Sequence, residues 1–137
     1  MYRTLRVILA VLGSAHLTIS ALFFFAPVWS YQAIAPFAPY NAHLLSDVGA
    51  FNLPLGVGLW LAARDPWRYQ HLIVLAALGN LMHAASHLRD WHLHVPPSMP
   101  LWQGMLTEFG TLGAGLLLLA LAIAVRSPRM SAARLSA

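Results

Sequence analysis

The sequence predicts an all-α integral membrane protein, folded as a single four-helix bundle over residues 1–137 with both termini on the cytoplasmic side. Three observations carry this prediction. Hydrophobic residues make up 59% of the chain and charged residues 9%, far from a soluble globular composition. The apolar residues gather into four runs, 5–25, 43–63, 69–88 and 105–125, each with about the 20 residues a helix needs to cross a ~30 Å hydrocarbon core. The arginines fall in alternate connections. A water-soluble bundle would keep a charged face on every helix, and residues 110–125 carry no charge at all.

The first run follows Arg3 and Arg6, which also fits the start of a signal peptide. It is longer than the usual apolar region of ~7–15 residues. The best small-residue cleavage site, Ala33-Ile34-Ala35, lies far downstream and precedes Pro36. The run therefore reads as a retained helix. The connection after it holds Pro27, Pro36 and Pro39 with Trp29, Tyr31, Phe37 and Tyr40. Proline breaks helices, and Trp and Tyr favour the headgroup zone, so this segment is expected along the outer interface. The second run is Gly-rich, and its Pro54 frees the carbonyl of Ala50, which needs another partner in lipid. Arg64-Asp65-Pro66-Trp67-Arg68 reads as a tight turn into the third run. Residues 91–104, with His92, His94, Pro96, Pro97, Pro100 and Trp102, form a second interfacial connection. The fourth run ends in a polar tail, 127–137.

Arg3, Arg6, Arg64, Arg68, Arg126, Arg129 and Arg134 all flank the same side of the four helices. The positive-inside rule puts that side in the cytoplasm. All eight basic residues are arginine, which with the Ala/Leu richness points to a GC-rich bacterial genome. There is no cysteine, so disulfides and thiolate sites are excluded. The net charge of +4 comes from topology-setting arginines. No basic-aromatic patch lies outside the helices, so nucleic acid is not an expected partner. The expected partners are the lipid bilayer and a membrane protein or a second copy of this chain.

Ionisable groups at membrane depth mark functional sites by default. At ~1.5 Å per residue, His87 should lie roughly 4 Å and His83 roughly 10 Å below the outer boundary, Asp47 and Glu108 about 6 Å, and His16 about 13 Å, level with Asn52 and Asn80. Residues three and four apart share a helix face. Gly13, His16 and Ser20 share one. His43, Asp47 and Pro54 lie roughly on one side of the second helix. Ile73, Ala76, Asn80, His83, His87 and Asp90 form a stripe on the third, and Gly104, Glu108, Thr111 and Gly115 one on the fourth.

Imidazole and carboxylate suit zinc, iron or copper. The His83-x-x-x-His87 pair supplies two nitrogen donors one turn apart. Asp47, Glu108 and His43 are the candidate additional ligands or orienting groups. Carboxylate-bridged di-iron bundles use Glu-x-x-His pairs, and the spacing here is not that motif. Alternatively, His16 and His83 on facing helices would clamp a haem iron. Against both stands a reading in which histidines and carboxylates only hydrogen-bond the helices together. His43, His92 and His94 then sit solvated near the headgroups, and Asp90 pairs with Arg89.

The short basic start, the internal Gly13-Ser14 of the first helix and Asp47-Val48-Gly49-Ala50-Phe51 opening the second resemble the small four-helix DoxX-like bacterial membrane proteins. The resemblance covers the four-helix layout and implies an inner-membrane protein, with links to redox physiology in some members. It implies no functional residues. The expected function is binding of a transition-metal ion or redox cofactor at a His/carboxylate site in the outer half of the membrane. The competing expectations are a non-catalytic accessory subunit of a larger membrane complex and a small transporter or proton relay.

Overall fold

A computed structural model describes residues 2–36, 39–91 and 101–125; the side chains of residues 2, 101, 103, 104 and 106–108 lie outside that description. Every element within it is helical: α1 (Tyr2–Phe25), α2 (Pro27–Ala33), α3 (Ala42–Arg64), α4 (Gln70–Arg89) and α5 (Leu101–Ala124). Three of these helices, α1, α3 and α4, are long and apolar enough to cross a membrane, and α5 carries a shorter apolar stretch over Phe109–Ala124. Only 22%, 22% and 28% of the apolar windows of α1, α3 and α4 is buried within the bundle. Large apolar side chains such as Phe25, Met82 and Val11 point outward, a surface that water alone would penalise heavily.

Local chemistry sets the helix ends. Pro27 occupies the first turn of α2, where its missing N–H costs nothing. The proline-rich connection thus contains a 7-residue helix. Asn41 caps α3, its Oδ1 accepting from the Leu44 N–H at 3.0 Å, which satisfies one orphan donor of the first turn. Between α3 and α4, Asp65 Oδ1 accepts from the Arg68 N–H at 3.1 Å, and its carbonyl accepts from the Tyr69 N–H at 3.1 Å. This is the turn chemistry favoured by Asp-Pro. Pro54 lies inside α3 without ending it.

Successive long helices run antiparallel. On α1, Leu9, Gly13, His16, Ser20 and Phe23 recur at alternating intervals of four and three, and on α3 so do Leu45, Gly49, Asn52, Gly56, Leu59 and Ala63. A repeat averaging 3.5 residues keeps one stripe against its partner. The small residues bring the two backbones together. A Cβ on Gly49 would stand 3.0 Å from both the Ser20 carbonyl oxygen and the Phe24 nitrogen, and one on Gly56 3.0 Å from the Gly13 carbonyl oxygen. Gly79 packs under Leu55 of α3, and Gly115 of α5 under Leu81 of α4.

The apolar core occupies the arginine end of the bundle, around Leu9, Leu59, Ile73, Ala77 and Leu118. Side chains reach across helices there to satisfy late carbonyls. Arg6 Nε donates to the Ala63 carbonyl at 2.8 Å, and Gln70 Nε2 to that of Ala122 at 2.7 Å. Both acceptors are groups that a helix C-terminus leaves unpaired. Beyond this core lie His16, Asn52, Asn80, His83 and His87.

Candidate functional site

The α1/α3 stripe is apolar or small except at its centre, where His16 meets Asn52. Asn52 Nδ2 donates to the Val48 carbonyl at 2.8 Å, which orients its amide. Its Oδ1 is thereby turned to His16 Nδ1, 2.6 Å away. On the other side of the ring, Asn80 of α4 is held the same way, its Nδ2 donating to the Ala76 carbonyl at 2.8 Å. The same Nδ2 lies 3.2 Å from His16 Nε2. Since a carbonyl oxygen cannot donate, His16 Nδ1 carries the hydrogen, and Nε2 accepts from Asn80. One imidazole thus joins α1, α3 and α4, with both nitrogens engaged. The haem clamp expected from His16 and His83 is not the arrangement seen. His16 directs no spare lone pair at a ligand.

His83 and His87 follow one and two turns after Asn80 on the same face of α4. Both are half-buried, and their ring centroids lie 4.4 Å apart at 60°. They line a cavity of about 480 Å³. Its walls are mainly apolar, with Phe23, Leu44 and Leu45 among them; Asn52, Ser86 and Thr111 add polar atoms, and Arg89 and Asp90 add charged ones. This is the size and character of a small-molecule site, mostly greasy with a few convergent polar groups. His83 also lines a second, smaller cavity of about 230 Å³, together with His16, Asp47, Asn52 and Asn80. His83 and Asn52 therefore belong to both spaces.

The carboxylates do not join the histidine pair as expected. The expected interior face of α3, His43, Asp47 and Pro54, is exposed. The interior face is Leu45, Gly49, Asn52 and Gly56. His43 Nε2 lies 3.5 Å from Asp47 Oδ2, and these side chains are 86% and 62% exposed. Asp47 reaches the smaller cavity only as a wall. The physical reason is packing: Asp47 keeps its exposure near the start of α3, and the tight α1/α3 approach at Gly49 and Gly56 decides which face turns inward. Asp90 is held by Arg89 through two hydrogen bonds, of 3.0 and 2.6 Å. The Glu108 side chain lies outside the described residues, as do His92 and His94. Among the described residues no group of three or more His, Asp, Glu or Cys side chains is placed to hold a metal ion. What they assemble is a pair of imidazoles over a cavity, not a complete ligand set.

Ser86 and Thr111 enter the cavity wall without having been singled out for it. Ser86 lies three residues from His83, and its Oγ donates to the His83 carbonyl at 2.8 Å. Spacing on α4 could have found Ser86. Thr111 shares the face of Glu108 and Gly115 and was legible only as that.

No family model matches the chain, and neither a curated protein nor a solved structure matches it.

Proposed function

We propose that the protein is a multi-pass bacterial inner-membrane protein that binds a transition-metal ion or a metal-containing redox cofactor through His83 and His87, in the outer half of the bilayer. The observation that carries this reading is the histidine pair itself: two imidazoles one turn apart, half-buried, over a cavity of about 480 Å³ with largely apolar walls. Neutral imidazoles suit zinc, copper and iron. Two protein donors leave coordination positions for a third side chain, a water or a ligand in the cavity. Glu108 is the carboxylate proposed to complete or orient the site, since it lies one turn before Thr111 on α5. Asp47 and His43 pair with one another and are assigned no ligand role. The arginine distribution supports both termini in the cytoplasm. The resemblance to DoxX-like proteins supports the bacterial inner membrane.

The test is elemental analysis and a visible spectrum of the purified protein, followed by the His83→Ala/His87→Ala variant. The native protein should carry a metal near one equivalent or a haem band, and the double variant should lose it while keeping its helix content. Full metal retention by the double variant would exclude these ligands. A native protein with neither metal nor haem would leave a second reading, an accessory subunit whose polar residues serve packing. The internally satisfied His16–Asn52–Asn80 network favours that second reading.

A further inference from the structure

The end of the bundle opposite His83 and His87 holds a separate cavity, of about 580 Å³, between the first turns of α1 and the last turn of α3. Arg3, Arg6 and Arg64 line it, with Asp65 as the one carboxylate. Arg6 spends one N–H on the Ala63 carbonyl, out of the five donors a guanidinium carries. Arg3 and Arg64 are exposed. Among the described residues no ion pair joins Arg3, Arg6 or Arg64 to a carboxylate. Asp65 is itself engaged by the Arg68 N–H. Three cations against one acid, around a hollow of this size, is a cradle for an anion. Guanidinium forks match the oxygens of phosphate.

The rest of the lining says what the anion is attached to. Val7, Ala10 and Trp60 form an apolar wall running along α1 and α3 away from the arginines. Val7 is 53% and Trp60 42% exposed. A free inorganic anion has no use for such a wall, whereas acyl chains do. Trp67, in the turn between Arg64 and Arg68, also lines the cavity, and tryptophan is favoured at headgroup depth. We propose that this cavity binds the phosphodiester headgroup of an anionic glycerophospholipid, held by Arg3, Arg6 and Arg64, with an acyl chain along Val7, Ala10 and Trp60. The inference rests on the membrane-spanning part of the proposed function and is independent of any ligand at His83 and His87.

The test titrates the purified full-length chain in detergent with phosphatidylglycerol and, in parallel, phosphatidylcholine, counting bound lipid by native mass spectrometry. The wild type should retain phosphatidylglycerol in preference. The Arg3→Gln/Arg64→Gln variant spares Arg6, whose bond to Ala63 serves folding. Each arginine removed should weaken retention about fivefold, whereas Arg68→Gln, at the same end but off the cavity wall, should weaken it clearly less. Equal binding of the two lipids, an unchanged preference in the double variant, or an equal loss in Arg68→Gln would overturn the site. Displacement by an equimolar amount of inorganic phosphate would assign it to a soluble anion and overturn the lipid. A chain recovered from the soluble fraction of cells would defeat the membrane-spanning reading and this one with it. A membrane-embedded chain without the lipid preference would defeat this one alone.

Discussion

His16 and Asn52 should behave as an energetically coupled pair. In His16→Leu the Asn52 Oδ1 loses its donor, and in Asn52→Leu the His16 Nδ1–H loses its acceptor 2.6 Å away. A buried polar group stripped of its partner costs about 1–3 kcal/mol, while removing both partners together is close to neutral. Interhelical hydrogen bonds in membranes average only about 0.6 kcal/mol, with a maximum near 1.7. Both side chains here are half-buried, and His16 Nε2 retains its contact with Asn80. The coupling should therefore fall at about 1–1.5 kcal/mol, the upper part of the membrane range. The cavity of about 230 Å³ that both residues line gives the leucines room, so overpacking should not mask the effect. Reversible unfolding in mixed micelles would measure the four-species cycle. Additivity of the two single substitutions within about 0.3 kcal/mol would show that no such bond is formed.

Gly49→Ala should destabilise the bundle while Gly113→Ala should not, because a methyl at Gly49 meets two backbone atoms at 3.0 Å and one at Gly113 meets nothing within 4 Å. Both gain the same helix propensity, so their difference isolates the steric cost, about 1–3 kcal/mol; equal melting behaviour would refute the close α1/α3 approach. The chain has no cysteine, so single-cysteine variants at Tyr40 and Arg68 report topology directly. Tyr40→Cys should be labelled from outside intact cells and Arg68→Cys only after permeabilisation, and the reverse pattern would invert the orientation.

The long helices were legible because apolar length is a global feature of the sequence. So was the meeting of His16 with Asn52 and Asn80 at one level, since depth follows from counting residues. Rotation was harder to read. On α4 the polar stripe and the interior stripe coincide, so Asn80, His83 and His87 sit where the spacing puts them. On α3 they diverge. His43 and Asp47 drew the reading to their own face, but an acid near a helix end carries little penalty for staying outside. The face that turned inward is the one whose side chains are smallest. Gly49 and Gly56 let two backbones touch, and that contact outweighs the pairing of a shallow carboxylate with distant histidines.

The small-residue seam leaves one question that only its polar member answers. Gly49 and Gly56 are seven residues apart, the period of the seam itself. Sliding α3 past α1 by one repeat would still place a glycine opposite Gly13. The slide that brings Gly49 opposite Gly13 would set His16 against Leu45 and leave its Nδ1–H without an acceptor. A single polar pair in an otherwise degenerate seam can thus specify register at little gain in stability. If His16 and Asn52 serve that purpose, the double leucine variant should remain nearly as stable as the wild type and yet lose a unique alignment. Cysteines placed at Ala10 and Trp60, which line one cavity across α1 and α3 and leave the glycines in place, would then crosslink less completely in that background than in the wild-type background. Undiminished crosslinking would show that the glycines alone fix the register.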